Sequence, residues 1–150
     1  MPVSPFRFPH LTILQGRGAQ IYAAKVEPIL LAAGCELEVI RTLSNFKVNQ
    51  AINLLSDTTR HRHALELAQK IELKYDAVLT VSGDGLIHEV LNGVAQHAQP
   101  PRALSIPIVP IPTGSGNGLA HNLLGLKVKP LFSLPLFAYT EALRMVLTLE

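Results

Sequence analysis

The sequence predicts an α/β domain: a mostly parallel sheet with helices on both faces. Three observations predict it. Apolar runs alternate with stretches of helical spacing three or four times along the chain. One run, residues 75–81 (YDAVLTV), is nearly continuous in apolar side chains, as suits a strand covered on both faces. Three apolar runs end in glycine turns, at residues 15–18, 82–85 and 114–117.

Taken in order, residues 11–14 (LTIL) read as a short buried strand running straight into the turn QGRGA. A helix follows, with Tyr22, Val26, Ile29, Leu30 and Ala33 on its inner face, and Gly34 suits the left-handed position that ends it. Residues 35–42 (CELEVIRT) alternate as a half-buried strand. Residues 43–57 have partial helical spacing where a short connection would suffice. Residues 58–73 read as a helix capped by a threonine, with Ala64, Leu67, Ala68 and Ile71 inward. After the strand at 75–81, a helix is expected from about Leu86 to His97, burying Ile87, Val90, Leu91 and Val94. QPPR reads as a loop. Residues 104–112 are extended, but Pro107, Pro110 and Pro112 remove ladder donors, so the strand belongs at an edge or leaves the sheet early. Residues 113–126 repeat the turn-and-helix theme, and residues 139–150 suit a last helix.

Composition sets bounds on function. The 150 residues are 48% hydrophobic, with a mean hydropathy of +0.28, which supports one domain with its own core. The formal charge of +2, from 13 basic and 11 acidic residues, gives no clustered basic face for duplex nucleic acid. Arg60, His61, Arg62 and His63 offer either a small anion contact or a solvated helix start. Cys35 is the only cysteine, which excludes a disulfide framework and fits a reducing cytoplasmic setting. The proline-broken N-terminus lacks the apolar stretch of a signal peptide. No run approaches the ~18 apolar residues of a membrane span. Peripheral contact with a membrane surface stays open, and the oligomeric state is not legible.

The glycine turns carry the chemistry. In a parallel sheet all three fall on the carboxyl edge, where ligands bind. Glycine admits a phosphate close to the backbone, and a helix starting there aims free N–H groups at it. No Walker sequence occurs, and neither GDGLIH nor GSGNGL completes a dinucleotide fingerprint, which disfavours an oxidoreductase. Asp84 is a carboxylate where an anion should sit. Three readings fit it: contact to Mg²⁺ beside the phosphates, a base for a substrate hydroxyl, or a side chain that merely shapes the turn. Glu89 suits either a metal-bound water or nucleotide hydroxyl, or a favourable first-turn charge. Ser115 and Asn117 suit phosphate donation or capping. The six histidines show no metal-ligand spacing with carboxylates.

SGDGLIHEVLNG together with PTGSGNGLAHNLLG resembles the sphingosine kinase and diacylglycerol kinase catalytic-domain family, nearest to the fungal sphingoid long-chain-base kinases. KVEPILLAAGC and HALELA agree with it. The resemblance covers residues 58–126 and, more loosely, 16–42. It implies a fold like that of NAD kinase and phosphofructokinase, with ATP and Mg²⁺ as cofactors. It implies phosphorylation of the primary hydroxyl of a sphingoid base, with diacylglycerol or ceramide as sibling substrates. By resemblance the nucleotide contacts are Gly16, Thr58, Ser82, Gly83, Asp84, Gly85, Glu89, Gly114, Ser115, Gly116 and Asn117, with Asp84 as the catalytic base.

Departures accompany the match. The family's Asn-Pro-x-Gly-Gly half of the first turn is absent, and residues 43–57 read as an insertion. Residues 127–150 match poorly, and the β-rich lipid domain lies outside these 150 residues. The expectation is a single, incomplete catalytic domain from a truncated or mis-spliced product. A non-catalytic fragment or binding module is the alternative of another class.

Overall fold

The computed structural model describes residues 9–16, 18–42, 62–123 and 125. The expectations for residues 43–57, Thr58 and the tail at 127–150 lie outside them. Among the described residues four strands form one parallel sheet in the order β2-β1-β3-β4: β1 (Pro9–Leu14), β2 (Glu36–Arg41), β3 (Ala77–Ser82) and β4 (Ile108–Pro112). The register sets Leu14 opposite both Arg41 and Val81, and Ser82 opposite Pro112.

Strand alternation divides the core into two layers. Leu14, Leu79, Val81, Val109 and Ile111 point to one face, where they pack against Tyr22, Val26 and Leu30. Those three come from a helical run made of α1 (Gly18–Ile21), a π-helical stretch Tyr22–Val26 and α2 (Glu27–Ala32). Leu11, Ile13 and Val78 point to the other face. There they meet α3 (His63–Gln69), α4 (Asp84–Ala95) and α5 (Pro100–Leu104), through Ala64, Ala68, Leu86, Val90, Val94 and Ala103. Helices thus cover both faces of a parallel sheet, as the sequence predicts. Each of Ile13, Val78, Leu79 and Val81 is almost fully buried, and a side chain of that kind contributes about 1.5–3 kcal/mol on leaving water.

Several details differ from the sequence reading. The first helix is interrupted by a π turn, and its Ala33 is exposed. Gly34 does take the left-handed conformation (φ +81°), and Cys35 N–H closes back on Leu30 C=O across it. The strand at 36–41 is not half-buried but mostly exposed, because it lies at an edge of the described sheet. Helix α3 is shorter than residues 58–73, ending at Gln69. Residues 100–104 form a helix rather than a loop, since prolines are tolerated where the first-turn N–H has no partner. Leu91 is 41% exposed, and Leu86 fills the inward position instead.

The prolines of β4 fall where a ladder tolerates them. Val78 N–H donates to Pro107 C=O, and Thr113 N–H donates to Ser82 C=O. Parallel pairing therefore directs the odd-numbered residues of this strand at β3. Pro110 and Pro112 sit at alternate positions, where a missing N–H faces away from that ladder.

Candidate functional site

Strands β1, β3 and β4 are adjacent, so their three following turns share one stretch of the carboxyl edge. The connection after β1 leads outward to β2, and the one after β3 leads the other way to β4. The crevice where such connections diverge is the usual ligand position in an open α/β sheet.

Backbone hydrogen bonds tie the turns together. Gln15 N–H donates to Val81 C=O at 3.2 Å, and Asp84 N–H donates to Gly116 C=O at 2.9 Å. Gly16, with φ +59°, makes the first turn and is exposed at its crest. The Ser82 hydroxyl donates to Gln15 Oε1 at 3.2 Å.

The second and third turns pack backbone on backbone. A Cβ on Gly83 would run into the Gly116 carbonyl, and one on Gly114 would run into the Gly83 backbone. These two glycines serve the contact between turns. Gly85 differs: a Cβ there would meet nothing within 4 Å among the described residues, which leave space at this point of the α4 start.

Helix α4 begins at Asp84, two residues earlier than the sequence spacing suggests. Its N-cap is Gly83, which has no side chain to cap the first-turn amides. The Asp84 carboxylate turns away from those amides. Its Oδ2 accepts from Gly118 N–H at 2.7 Å, and its Oδ1 accepts from Leu119 N–H at 3.1 Å. Asp84 therefore caps α6 (Gly118–Leu123), the helix after the third turn. A carboxylate stands in a phosphate-type turn because it supplies the anion for the neighbouring helix. The two helix starts are then unequal: the first amides of α6 are held by a carboxylate, whereas in α4 the Asp84 N–H donates to Gly116 C=O and no side chain caps the amides after it.

Asn117 is buried and faces inward. Its Oδ1 accepts from Gly114 N–H at 3.1 Å, and its Nδ2 donates to Gly114 C=O at 2.7 Å. Both ends of the amide thus lock the turn rather than reach for a phosphate. Ser115 and Gly116 are exposed on the rim. Glu89 sits one turn into α4 and lines a groove of about 470 Å³ between α3 and α4, together with Arg62, Gln69, His88 and Asn92. Thr58 lies outside the described residues.

Sequence reasoning placed Gln15 in the first turn without a role of its own and missed Gly118, Leu119 and Thr113. The Thr113 hydroxyl is buried, has no partner among the described residues, and abuts Gly18. A polar residue directly after an apolar strand was the available signal for Gln15 and Thr113. The amides of Gly118 and Leu119 carried none.

Among the described residues no three His, Cys, Asp or Glu side chains converge to hold a metal ion. They build no protein cage, whereas Mg²⁺ commonly rides on substrate phosphates with few carboxylate contacts. No helix among the described residues is long and apolar enough to cross a membrane.

Residues 14–146 match the diacylglycerol kinase catalytic domain family. The chain is 35% identical over 114 residues to sphingoid long-chain bases kinase 1 of Arabidopsis thaliana, covering 75% of this chain and 13% of that protein. It is 36% identical over 110 residues to sphingosine kinase 1 of Homo sapiens, covering 73% and 24%. Against sphingoid long chain base kinase 5 of Saccharomyces cerevisiae it is 33% identical over 108 residues, covering 71% and 13%. The chain spans at most about a quarter of the length of these relatives.

Proposed function

The chain belongs to the diacylglycerol kinase catalytic domain family, and from that premise we propose that it is the nucleotide-binding part of an ATP-dependent kinase acting on the primary hydroxyl of a sphingoid base. The observation that carries the reading is the division of labour at Asp84. Its carboxylate is held on the α6 amides, while the α4 amides beyond Asp84's own have no side-chain cap and the described residues leave space at Gly85.

In this reading the triphosphate lies across the crevice, with its terminal phosphates on the α4 amides and over Gly85. Gly16, Ser82, Gly83, Gly114, Ser115 and Gly116 form its walls, and Asn117 holds the third turn in shape. Mg²⁺ carried by the nucleotide would supply neutralisation of the phosphate charge. By the family resemblance Thr58 is a further nucleotide contact, and Glu89 reaches the nucleotide from the groove between α3 and α4.

Asp84 is the base. Each of its oxygens accepts one amide proton and keeps a second lone pair, so it can also accept the lipid hydroxyl proton. The lipid oxygen bonds to the γ-phosphorus, the bond from that phosphorus to the bridging oxygen breaks, and ADP departs. The protein contributes position and charge rather than covalent chemistry. We place the protein in the cytoplasm, touching membranes peripherally to reach its lipid.

The test incubates the 150-residue chain with γ-labelled ATP and, separately, sphingosine, diacylglycerol and ceramide. Label on sphingosine that Asp84→Asn abolishes supports the reading. Label on diacylglycerol or ceramide alone reassigns the substrate. ATP binding with no transfer to any lipid leaves a non-catalytic nucleotide-binding module.

A further inference from the structure

We infer that the carboxamide of Gln15 is a phosphate-binding group of this site, and that Ser82 is the positioning residue that aims it. The inference rests on the nucleotide reading above and adds a contact to it.

Gln15 is the first residue after β1, at the point where the connections from β1 and β3 diverge. Its backbone is fixed on both sides: its N–H donates to Val81 C=O, and its C=O accepts from Gly18 N–H at 3.1 Å. Alternation along β1 puts Leu11 and Ile13 on the face covered by α3 and α4, and Gln15 continues that series. Ser82 continues the same series on β3 after Val78 and Thr80. Their side chains therefore meet on the face where the open start of α4 lies, two residues after Ser82.

The Ser82 hydroxyl donates to Gln15 Oε1. With Oε1 turned to Ser82, the NH₂ group points away from that hydroxyl and is left for a ligand. The amide, half-buried at the crevice mouth, then offers two N–H donors. A serine that spends its proton on Gln15 does not donate to phosphate itself, so its effect on the ligand runs through Gln15.

The experiment is calorimetric titration of ATP and of adenosine into the full chain, its Gln15→Ala, Gln15→Glu and Ser82→Ala variants, and the double alanine variant, each with a thermal melt. A hydrogen bond to a charged group corresponds to roughly tenfold or more in affinity. Gln15→Ala is expected to weaken ATP by about that factor and leave adenosine unchanged. Gln15→Glu keeps the acceptor for Ser82 but turns the donor end into a negative charge, so it loses more. Ser82→Ala costs less than Gln15→Ala, and the double variant costs no more than Gln15→Ala alone. ATP bound by folded Gln15→Ala and Gln15→Glu at the parental affinity overturns the inference. Equal losses for ATP and adenosine also overturn it, since they mark a structural role. A folded parent that binds no ATP overturns the nucleotide reading itself, and this inference with it.

Discussion

Asp84 Oδ2 accepts the amide proton of Gly118 at 2.7 Å, so the first residue of α4 caps the first residue of α6. One carboxylate thereby joins the second and third turns. Asp84→Asn is expected to do two separable things. It keeps one acceptor for two amides and loses the charge, which costs about 1–2 kcal/mol of stability and speeds hydrogen exchange in α6. It also removes the proposed base, which is expected to lower phosphoryl transfer by at least about a hundredfold while ATP still binds. Melting, exchange and turnover measured on one preparation separate the two effects.

The glycines of the two packed turns should divide by cause. Gly114→Ala forces a methyl group into the Gly83 backbone and is expected to destabilise the chain by about 1–3 kcal/mol. Gly85→Ala meets open space within a helix, so stability holds or rises by up to about 1 kcal/mol. Its methyl nevertheless stands over the α4 start, and ATP affinity falls. Denaturant unfolding beside ATP titration reads both.

Gly93 belongs to the same motif by sequence, yet its role is packing. A Cβ there would strike Ala68 Cβ and the Leu65 carbonyl across the α3–α4 crossing. Gly93→Ala improves helix propensity by about 1 kcal/mol and still lowers net stability, because the clash falls on backbone and cannot relax by rotation. A lower midpoint in urea at unchanged slope is the expected result.

Alkaline pH should weaken the fold through Tyr75. Burial, helped by the hydrogen bond its hydroxyl donates to Glu38 at 2.6 Å, pushes its pKa from 10.0 to about 12. The folded state therefore keeps a proton that the unfolded chain releases, so this contribution is whole below about pH 10 and is lost as pH rises through about 12. Glu38→Gln should lower the apparent tyrosinate pKa, followed by ultraviolet absorbance.

Much of this was legible in the chain. Strand alternation, the Gly34 stop and the place of the prolines in β4 follow from local rules, and those rules hold where one strand or one helix decides the outcome. The start of α4 did not follow, because Asp84 reads as turn chemistry until its acceptor role toward Gly118 and Leu119 is seen, 34 and 35 residues away. Leu91 was misread for a related reason: starting the helix at Leu86 hid Leu86 itself, which takes the inward position. The glycines of the motif look alike in sequence, but only the fold shows that Gly83, Gly93 and Gly114 hold close contacts while Gly85 leaves a space. The π turn at Tyr22–Val26 carried no signal in spacing.

The central claim is that the open first turn of α4 receives the phosphates of ATP. Its most direct test is calorimetric titration of Mg-ATP into the parent chain and Gly85→Asp. The variant places a carboxylate in space that no described residue fills, so the fold should persist, as its melt would show. The account predicts saturable binding by the parent and none by folded Gly85→Asp. Equal binding by both would contradict it, because the phosphates would then lie elsewhere.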